Sequence, residues 1–301
     1  MNRTTVANAT PISTSVGWKS WAMLILLSLI WGTSYILIKK GLVAFSSTQV
    51  ACLRLSVASV SFFPVMLRRF RRIDWARWKA LLQVGLWGFG IPAFLFAIAQ
   101  TQISSSMAGI LNSLTPLFTL LLGIMFFGLR ASWAKGVGVL LGLAGAATLI
   151  LMGHGAGMEG NAWYGLLVML GAICYAASSN IVGAQLRDMN SITISAAAFA
   201  MIGLPAVAYL FSTDFLATLA HEPGAWQAFW AVVVLALFST VLASVIFFQL
   251  VQITSPVFAS MISYLVPIVA VSWGVFDGES ISVMHLLGMA LILSGVYLVK
   301  K

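Results

Sequence analysis

Mainly apolar stretches of about 20 residues, one after another, leave this chain few ways to fold. A helix crosses the hydrocarbon of a bilayer in about 20 mainly apolar residues, and a segment that is apolar all round has no face to show to water. Ten such segments run along the sequence, at 20–39, 47–67, 78–99, 104–128, 133–152, 162–185, 191–211, 225–249, 256–277 and 283–299. Two junctions, Gln100-Thr-Gln-Ile-Ser-Ser-Ser106 and Gln249 to Pro256, are faint, but each divides an apolar run too long for one crossing. Residues 1–18 form a polar tail rich in Ser and Thr. The run after it has full spanning length and no small-x-small cleavage site, which favours a retained first helix over a signal peptide. Only 8% of the residues are charged, against about 25% in a soluble domain. A soluble enzyme, a disordered regulator and a secreted disulfide scaffold are excluded, the last because Cys52 and Cys174 both lie within apolar runs. The expected fold is an all-α membrane protein with ten transmembrane helices.

A net charge of +9 would suggest a nucleic-acid partner in a soluble protein. In a membrane protein it is sorted by side instead, and no nucleic acid is expected here. With the N-terminus placed in the cytoplasm, Arg3, Lys19, Arg68, Arg69, Arg71, Arg72, Arg77, Lys79, Arg130, Lys135, Arg187, Lys300 and Lys301 fall on the cytoplasmic side. Only Lys39 and Lys40 fall outside, and Arg54 lies within a span. Glu159, Asp214, Glu222, Asp277 and Glu279 fall outside, with Asp74 and Asp188 inside. A wrong helix count would scramble this segregation, so both termini are expected in the cytoplasm.

The chain also resembles itself at a shift of about 150 residues. Gln102-Ile-Ser-Ser105 matches Gln252-Ile-Thr-Ser255, and Ala108-Gly-Ile-Leu-Asn-Ser-Leu-Thr-Pro116 matches Ala259-Ser-Met-Ile-Ser-Tyr-Leu-Val-Pro267. Gly138 and Gly145 match Gly288 and Gly295, and Trp78 and Trp226 open equivalent helices. The expected domains are the tail 1–18, a first repeat at 19–153 and a second at 160–301. Five spans is an odd number, so the two halves must lie in the membrane with opposite orientations. Inverted repeats of this kind place a solute site near the midplane, at their interface, in secondary transporters.

At this point the chain resembles the EamA-type ten-helix carriers of the drug/metabolite transporter superfamily. The resemblance covers 18–300 and rests on Trp31-Gly-Thr-Ser-Tyr35 with Lys39-Lys40, on Arg54, on the matched segments ending in Pro116 and Pro267, and on Glu279 in Gly-Glu-Ser. One departure is Gly128, near the place where the second half has Glu279. Within the superfamily the aromatic richness is most similar to the YddG-type exporters of aromatic amino acids. The resemblance implies residence in a bacterial inner (plasma) membrane. It also implies a central cavity lined by helices 1, 3, 4, 6, 8 and 9, with helices 5 and 10 peripheral.

Polar side chains are costly in hydrocarbon, so the deep ones are the candidates for function. The expected cavity residues are Trp31, Tyr35, Trp87, Asn112, Tyr175, Ser179, Ser239 and Tyr264, with Ser178, Asn180, Thr240 and Ser263 nearby. The competing assignment makes aromatic residues interfacial anchors and lets hydroxyls bond back to their own helix. It suits Trp18, Trp21, Trp75, Trp78 and Trp226, all at helix ends. Arg54 has three possible partners: a carbonyl cluster, water reached by snorkelling, or the carboxylate of a substrate. For Lys39 and Lys40 the alternatives are gating or anion attraction at the outer mouth, and interfacial snorkelling. Pro116 and Pro267 form a matched pair of hinges, with Pro92 and Pro205 as further mid-helix kinks. Gly138-x-x-x-Gly142 with Gly145 makes a close-packing face, which suits packing within a monomer or a homodimer.

No span carries Asp or Glu near its centre, and His154, His221 and His285 lie in loops or at a helix end. No phosphate loop, nucleophile with a base, or metal cluster can be assembled, so no enzyme, cofactor or metal is expected. The expected function is a secondary transporter in the lipid bilayer. It exports small amphipathic metabolites, aromatic or other neutral amino acids, by alternating access. A multidrug or other metabolite carrier of the same superfamily, and a non-transporting scaffold, are the alternatives. The topology is checked with an impermeant thiol reagent on intact cells: a cysteine replacing Glu159 is labelled and one replacing Arg72 is protected. The reverse pattern overturns the assignment.

Overall fold

A computed structural model describes residues 17–129, 132–152 and 161–300. Arg3, most of the expected tail, Arg130, His154, Glu159 and Lys301 lie outside the described residues. The described chain is helical throughout. Its long helices are α1 (Trp18–Gly41), α2 (Ser47–Arg72), α3 (Trp75–Ala99), α4 (Ser105–Phe127), α5 (Trp133–Met152), α6 (Gly165–Gln185), α7 (Ser191–Ser212), α8 (Ala225–Ile253), α9 (Pro256–Phe276) and α10 (Val283–Lys300). Eight of these have the length and apolar character to cross a membrane; α5 and α10 carry shorter apolar stretches, Gly136–Leu151 and Val283–Leu298. Two boundaries differ from the sequence expectation. The α8 helix runs past Gln249 to Ile253, leaving only Thr254 and Ser255 as the turn. A short helix, Phe215–His221, occupies the connection between α7 and α8.

Side-chain caps start several helices where the sequence offers Ser or Asn. Ser46 and Gln49 form a reciprocal capping box at α2. Ser104 accepts from the Met107 amide at α4, Ser255 from Phe258 at α9, and Asn190 from Ile192 at α7. Each satisfies backbone N–H groups that the first helical turn leaves without partners.

Four helices are interrupted midway, in two matching pairs. A wide π-turn spans Leu86–Gly90 in α3 and another spans Leu235–Leu242 in α8. The α4 helix breaks after Asn112 and resumes at Thr115. The α9 helix passes through a 3₁₀ turn, Met261–Tyr264, and resumes at Val266. Pro116 and Pro267 each sit in the first turn of the resumed helix. A proline there costs no hydrogen bond, because that N–H lacks an intrahelical acceptor anyway. Pro92 likewise follows the π-turn of α3, while Pro205 lies inside the continuous α7.

The packing is paired in the same way. The α1 helix packs on α8 and α9, and α6 packs on α3 and α4; α2 lies along α7, and α5 along α10. Phe62 stacks on Phe199 in the α2–α7 contact, with centroids 5.3 Å apart. In the α5–α10 contact the backbones touch. A Cβ added at Gly145 would lie 2.8 Å from the Gly288 carbonyl oxygen, and one at Gly295 would lie 2.5 Å from both the Gly138 oxygen and the Gly142 nitrogen. The glycine face of α5 is therefore turned inward onto α10. This generates a prediction. Gly295→Ala forces two backbones apart and destabilises the protein by about 1–3 kcal/mol, the range for overpacking. Gly136→Ala, in open space on α5, is neutral. Thermal melting of the purified protein in detergent checks both; equal effects would refute the packing argument.

Candidate functional site

A cavity of about 70 Å³ lies where seven of the helices meet. The α1 helix supplies Trp31, Ser34 and Tyr35, α4 supplies Asn112 and Thr115, and α6 supplies Tyr175, Ser178 and Ser179. The two π-turns shape its opposite sides. In α3 the turn puts Gly88 and Phe89 on the lining, and Gly88 leaves room for Ser178, whose Oγ would lie 2.6 Å from a Cβ at that position. In α8 it brings Ser239 onto the lining, where its carbonyl accepts from Trp31 Nε1 at 3.0 Å. The Ser239 hydroxyl donates back to the Ile30 carbonyl at 3.2 Å. Wide turns of this kind recur at functional positions because they release backbone groups from the helical ladder.

The walls are aromatic and the floor is polar. Trp31 meets Phe247 at 5.0 Å between centroids, Tyr35 meets Phe96 at 5.9 Å, and Phe96 meets Tyr175 at 5.7 Å. Such pairs add about 0.5–1.5 kcal/mol beyond area burial and hold ring faces in fixed directions. Asn112 Oδ1 accepts from Thr115 Oγ1 at 3.2 Å, and the Asn112 side chain faces the Tyr35 hydroxyl. Arg54, from α2, is only 9% exposed, and its Nε donates to Thr240 Oγ1 at 2.7 Å. The Tyr175 hydroxyl faces the same guanidinium. Among the described residues Arg54 makes no ion pair. The hydroxyls of Ser178 and Ser179 are buried without a hydrogen-bond partner among the described residues.

Of the residues expected at the cavity, Trp31, Tyr35, Asn112, Tyr175, Ser179 and Ser239 are brought together on its lining. Trp87 and Tyr264 are not. The π-turn gives the inner positions to Gly88 and Phe89, and Trp87 is 37% exposed. Tyr264, at the end of the 3₁₀ turn of α9, lies with Leu293, Ser294 and Tyr297 of α10. Asn180 sits deeper in α6, where its amide donates to the Thr119 and Ala176 carbonyls. The lining comes from the six helices the resemblance implied, with α2 added through Arg54. Sequence reasoning missed Phe89, Phe96, Phe247 and Phe248, since a phenylalanine facing a cavity reads the same as one facing lipid.

A family model describing EamA-like transporters matches residues 18–151 and, separately, residues 162–300. The chain belongs to the EamA-like transporter family. It is 28% identical over 278 residues to the uncharacterized inner membrane transporter YedA of Escherichia coli (strain K12), a match that covers 91% of this chain and 88% of YedA. It is 26% identical over 292 residues to a probable terminal-alkyne amino-acid exporter of Streptantibioticus cattleyicolor, covering 93% of each chain. A solved crystal structure superposes with a TM-score of 0.62 at 21% identity, covering 93% of this chain and 95% of the other; that likeness speaks for the fold alone.

In this EamA-like chain Lys39 and Lys40 are not free at the end of α1. Lys39 Nζ lies 2.7 Å from Asp277 Oδ2 and 2.9 Å from Glu279 Oε1, and Lys40 pairs with Asp277. Glu279 continues the network across to α4. Its Oε1 accepts from the Ser105 amide at 3.0 Å and the Ser105 hydroxyl at 2.7 Å, and its Oε2 from the Ser106 amide at 3.1 Å and hydroxyl at 2.6 Å. One carboxylate therefore clasps the positive end of α4 to α1. Burial pushes the Glu279 carboxyl up, but the hydrogen bonds from Ser106, Ser105 and Lys39 outweigh it and hold the group at about 2. A carboxyl lowered in the folded state stabilises fully above its ordinary value of 4.5, and that contribution disappears as pH falls toward 2. The difference in melting temperature between the wild type and Glu279→Gln therefore stays constant from about pH 8 to pH 5 and shrinks only below that. A difference that already shrinks between pH 7 and 5.5 would mean the clasp is not ionic.

Proposed function

We propose that the protein is a secondary transporter of a bacterial inner membrane that exports small amphipathic metabolites, aromatic or other neutral amino acids, by alternating access. The observation that carries this is the cavity, built from the interrupted middles of α3, α4, α8 and α9 and walled by aromatic rings around hydroxyl and amide groups. The transport architecture is ten spans in two inverted five-helix repeats, with both termini in the cytoplasm. Several features support it. The π-turns, the helix breaks before Pro116 and Pro267, and the serine caps at Ser104 and Ser255 recur at one shift along the chain. Gly145 touches Gly288 while Gly295 touches Gly138, the reciprocal pattern that a twofold axis imposes on an interface. One family model matches each half separately. Halves related in this way have two packings of similar energy, each open to one side, with the solute held between them.

The substrate class is supported by the aromatic walls and by a relative whose name makes it a probable amino-acid exporter. The test is efflux from proteoliposomes loaded with a labelled amino-acid panel. Saturable efflux of aromatic or neutral members is expected, competed by amphipathic analogues. Asn112→Ala, which removes the amide between Tyr35 and Thr115, lowers it about tenfold or more without loss of folded protein, a factor of ten being the loss of about 1.4 kcal/mol. Absence of saturable efflux for every amino acid tested would overturn the substrate class.

A further inference from the structure

We propose, building on the transport function above, that Arg54 anchors a carboxylate, so that the solute is a monoanionic carboxylate group on an apolar or aromatic body and needs no amine to be recognised. Among the described residues Arg54 is the only charged one on the cavity lining, and no Asp, Glu or His is among them there. A guanidinium stays charged in proteins and presents five donors in a planar fork. Here one of them, on Nε, is given to Thr240 Oγ1, and the Tyr175 hydroxyl faces the group. Neither neighbour carries a negative charge, and among the described residues no ion pair supplies one. An isolated buried cation is strongly unfavourable in low dielectric, and a carboxylate arriving from outside relieves that cost with geometry a guanidinium fits well. Ser178 and Ser179 stand one turn from Tyr175 on α6, at most 2% exposed, with hydroxyls that have no hydrogen-bond partner among the described residues. They are donors left over for the same anion. The rings of Tyr35, Phe96 and Tyr175, in mutual contact, and of Phe247 also line the cavity and suit an apolar body. A single fixed positive charge matches one carboxylate. A phosphate dianion would leave a charge uncompensated, and an organic cation would be repelled.

The test compares 3-phenylpropionate with its neutral isostere 3-phenylpropionamide on the purified full-length protein in detergent, reading apparent affinity from the rise in melting temperature. The wild type is expected to bind the acid at least tenfold more tightly than the amide. Arg54→Gln abolishes that preference, and Arg54→Lys weakens it without reversing it. Thr240→Val removes the tie between α2 and α8 but leaves the charge, so it retains the preference. A purely structural role for Arg54 predicts the opposite: Thr240→Val and Arg54→Gln both lower stability and neither changes discrimination. Equal affinity of the wild type for acid and amide overturns the assignment, as does a preference that survives in Arg54→Gln. So does a melting shift produced by sodium chloride but not by sodium gluconate and not increased by the acid, since the anion would then be chloride. The wild-type acid-to-amide comparison decides the matter even if Arg54→Gln fails to fold. If the binding preference holds while proteoliposomes show no flux of any solute, the transport reading fails and the carboxylate anchor stands.

Discussion

Inside a bilayer a backbone amide or carbonyl released from its helix has no water to turn to, and the architecture of this protein follows from where it accepts that cost. Helices are interrupted in α3, α4, α8 and α9, and all four interruptions put residues on the cavity lining. Those in α4 and α8 are supplied from within the protein. The Ser239 carbonyl takes the Trp31 indole N–H, the Asn112 carbonyl takes the Thr115 hydroxyl at 2.6 Å, and the prolines fall where no acceptor is lost. The cavity is the space these interruptions enclose. Its polar surface combines groups at these interruptions, among them Asn112 and Ser239, with side chains from continuous helices, among them Arg54, Ser178 and Ser179.

Charge is distributed with equal economy. The carboxylates on the clasp end, Asp277 and Glu279, are bound to Lys39, Lys40 and the start of α4. At the opposite end Arg77 holds Asp188 through two bonds of 2.5 and 2.9 Å, and Arg69 donates to Asn190 at 2.8 Å. These pairs join helices through loops near the surface, where water shares the load and each bond contributes modestly. Arg54 is different in kind: it is buried on the cavity lining, meets the Thr240 and Tyr175 hydroxyls, and makes no ion pair among the described residues. The ion pairs at the two ends join neighbouring helices there; under the carboxylate-anchor proposal it is the guanidinium that sets what the cavity receives.

Much of the helix layout could be read from the chain, because spanning length and the clustering of arginines at certain loops are coarse signals that survive any packing. Asn112, Tyr175 and Ser239 were also legible, since a polar group at mid-span has few inexpensive explanations. Trp87 and Tyr264 were equally deep and equally polar-tipped, yet they face elsewhere. A π-turn adds a residue to one turn of helix and rotates everything after it, and nothing in Leu-Trp-Gly-Phe-Gly announces that turn. The phenylalanine walls were invisible for a simpler reason: in hydrocarbon there is no energetic difference in sequence between a ring facing lipid and one facing a cavity. Lys39 and Lys40 stood out as bases on the wrong side, but only the three-dimensional return of α9 toward α1 reveals the acids that hold them.

The turns that end α4 and α9 share a backbone geometry and differ at one side chain. Gly128 and Gly278 both adopt left-handed backbone, with φ of 70° and 83°, and the next amide in each case bonds back to a glycine carbonyl, Leu129 to Gly123 at 3.0 Å and Glu279 to Gly274 at 2.8 Å. The side chain after each turn then folds over that glycine: a Cβ at Gly123 would lie 2.4 Å from Leu129 Cδ1, and one at Gly274 would lie 2.4 Å from Glu279 Oε2. The backbone device is the same and the tip is not. Parting the Glu279 end separates a carboxylate from two amides, two hydroxyls and an ammonium, all of which regain water as they part. Moving Leu129 exposes only apolar surface, which water opposes in proportion to its area. The two ends of one architecture are thus held by forces of different origin, and salt will weaken one of them and leave the other almost unchanged.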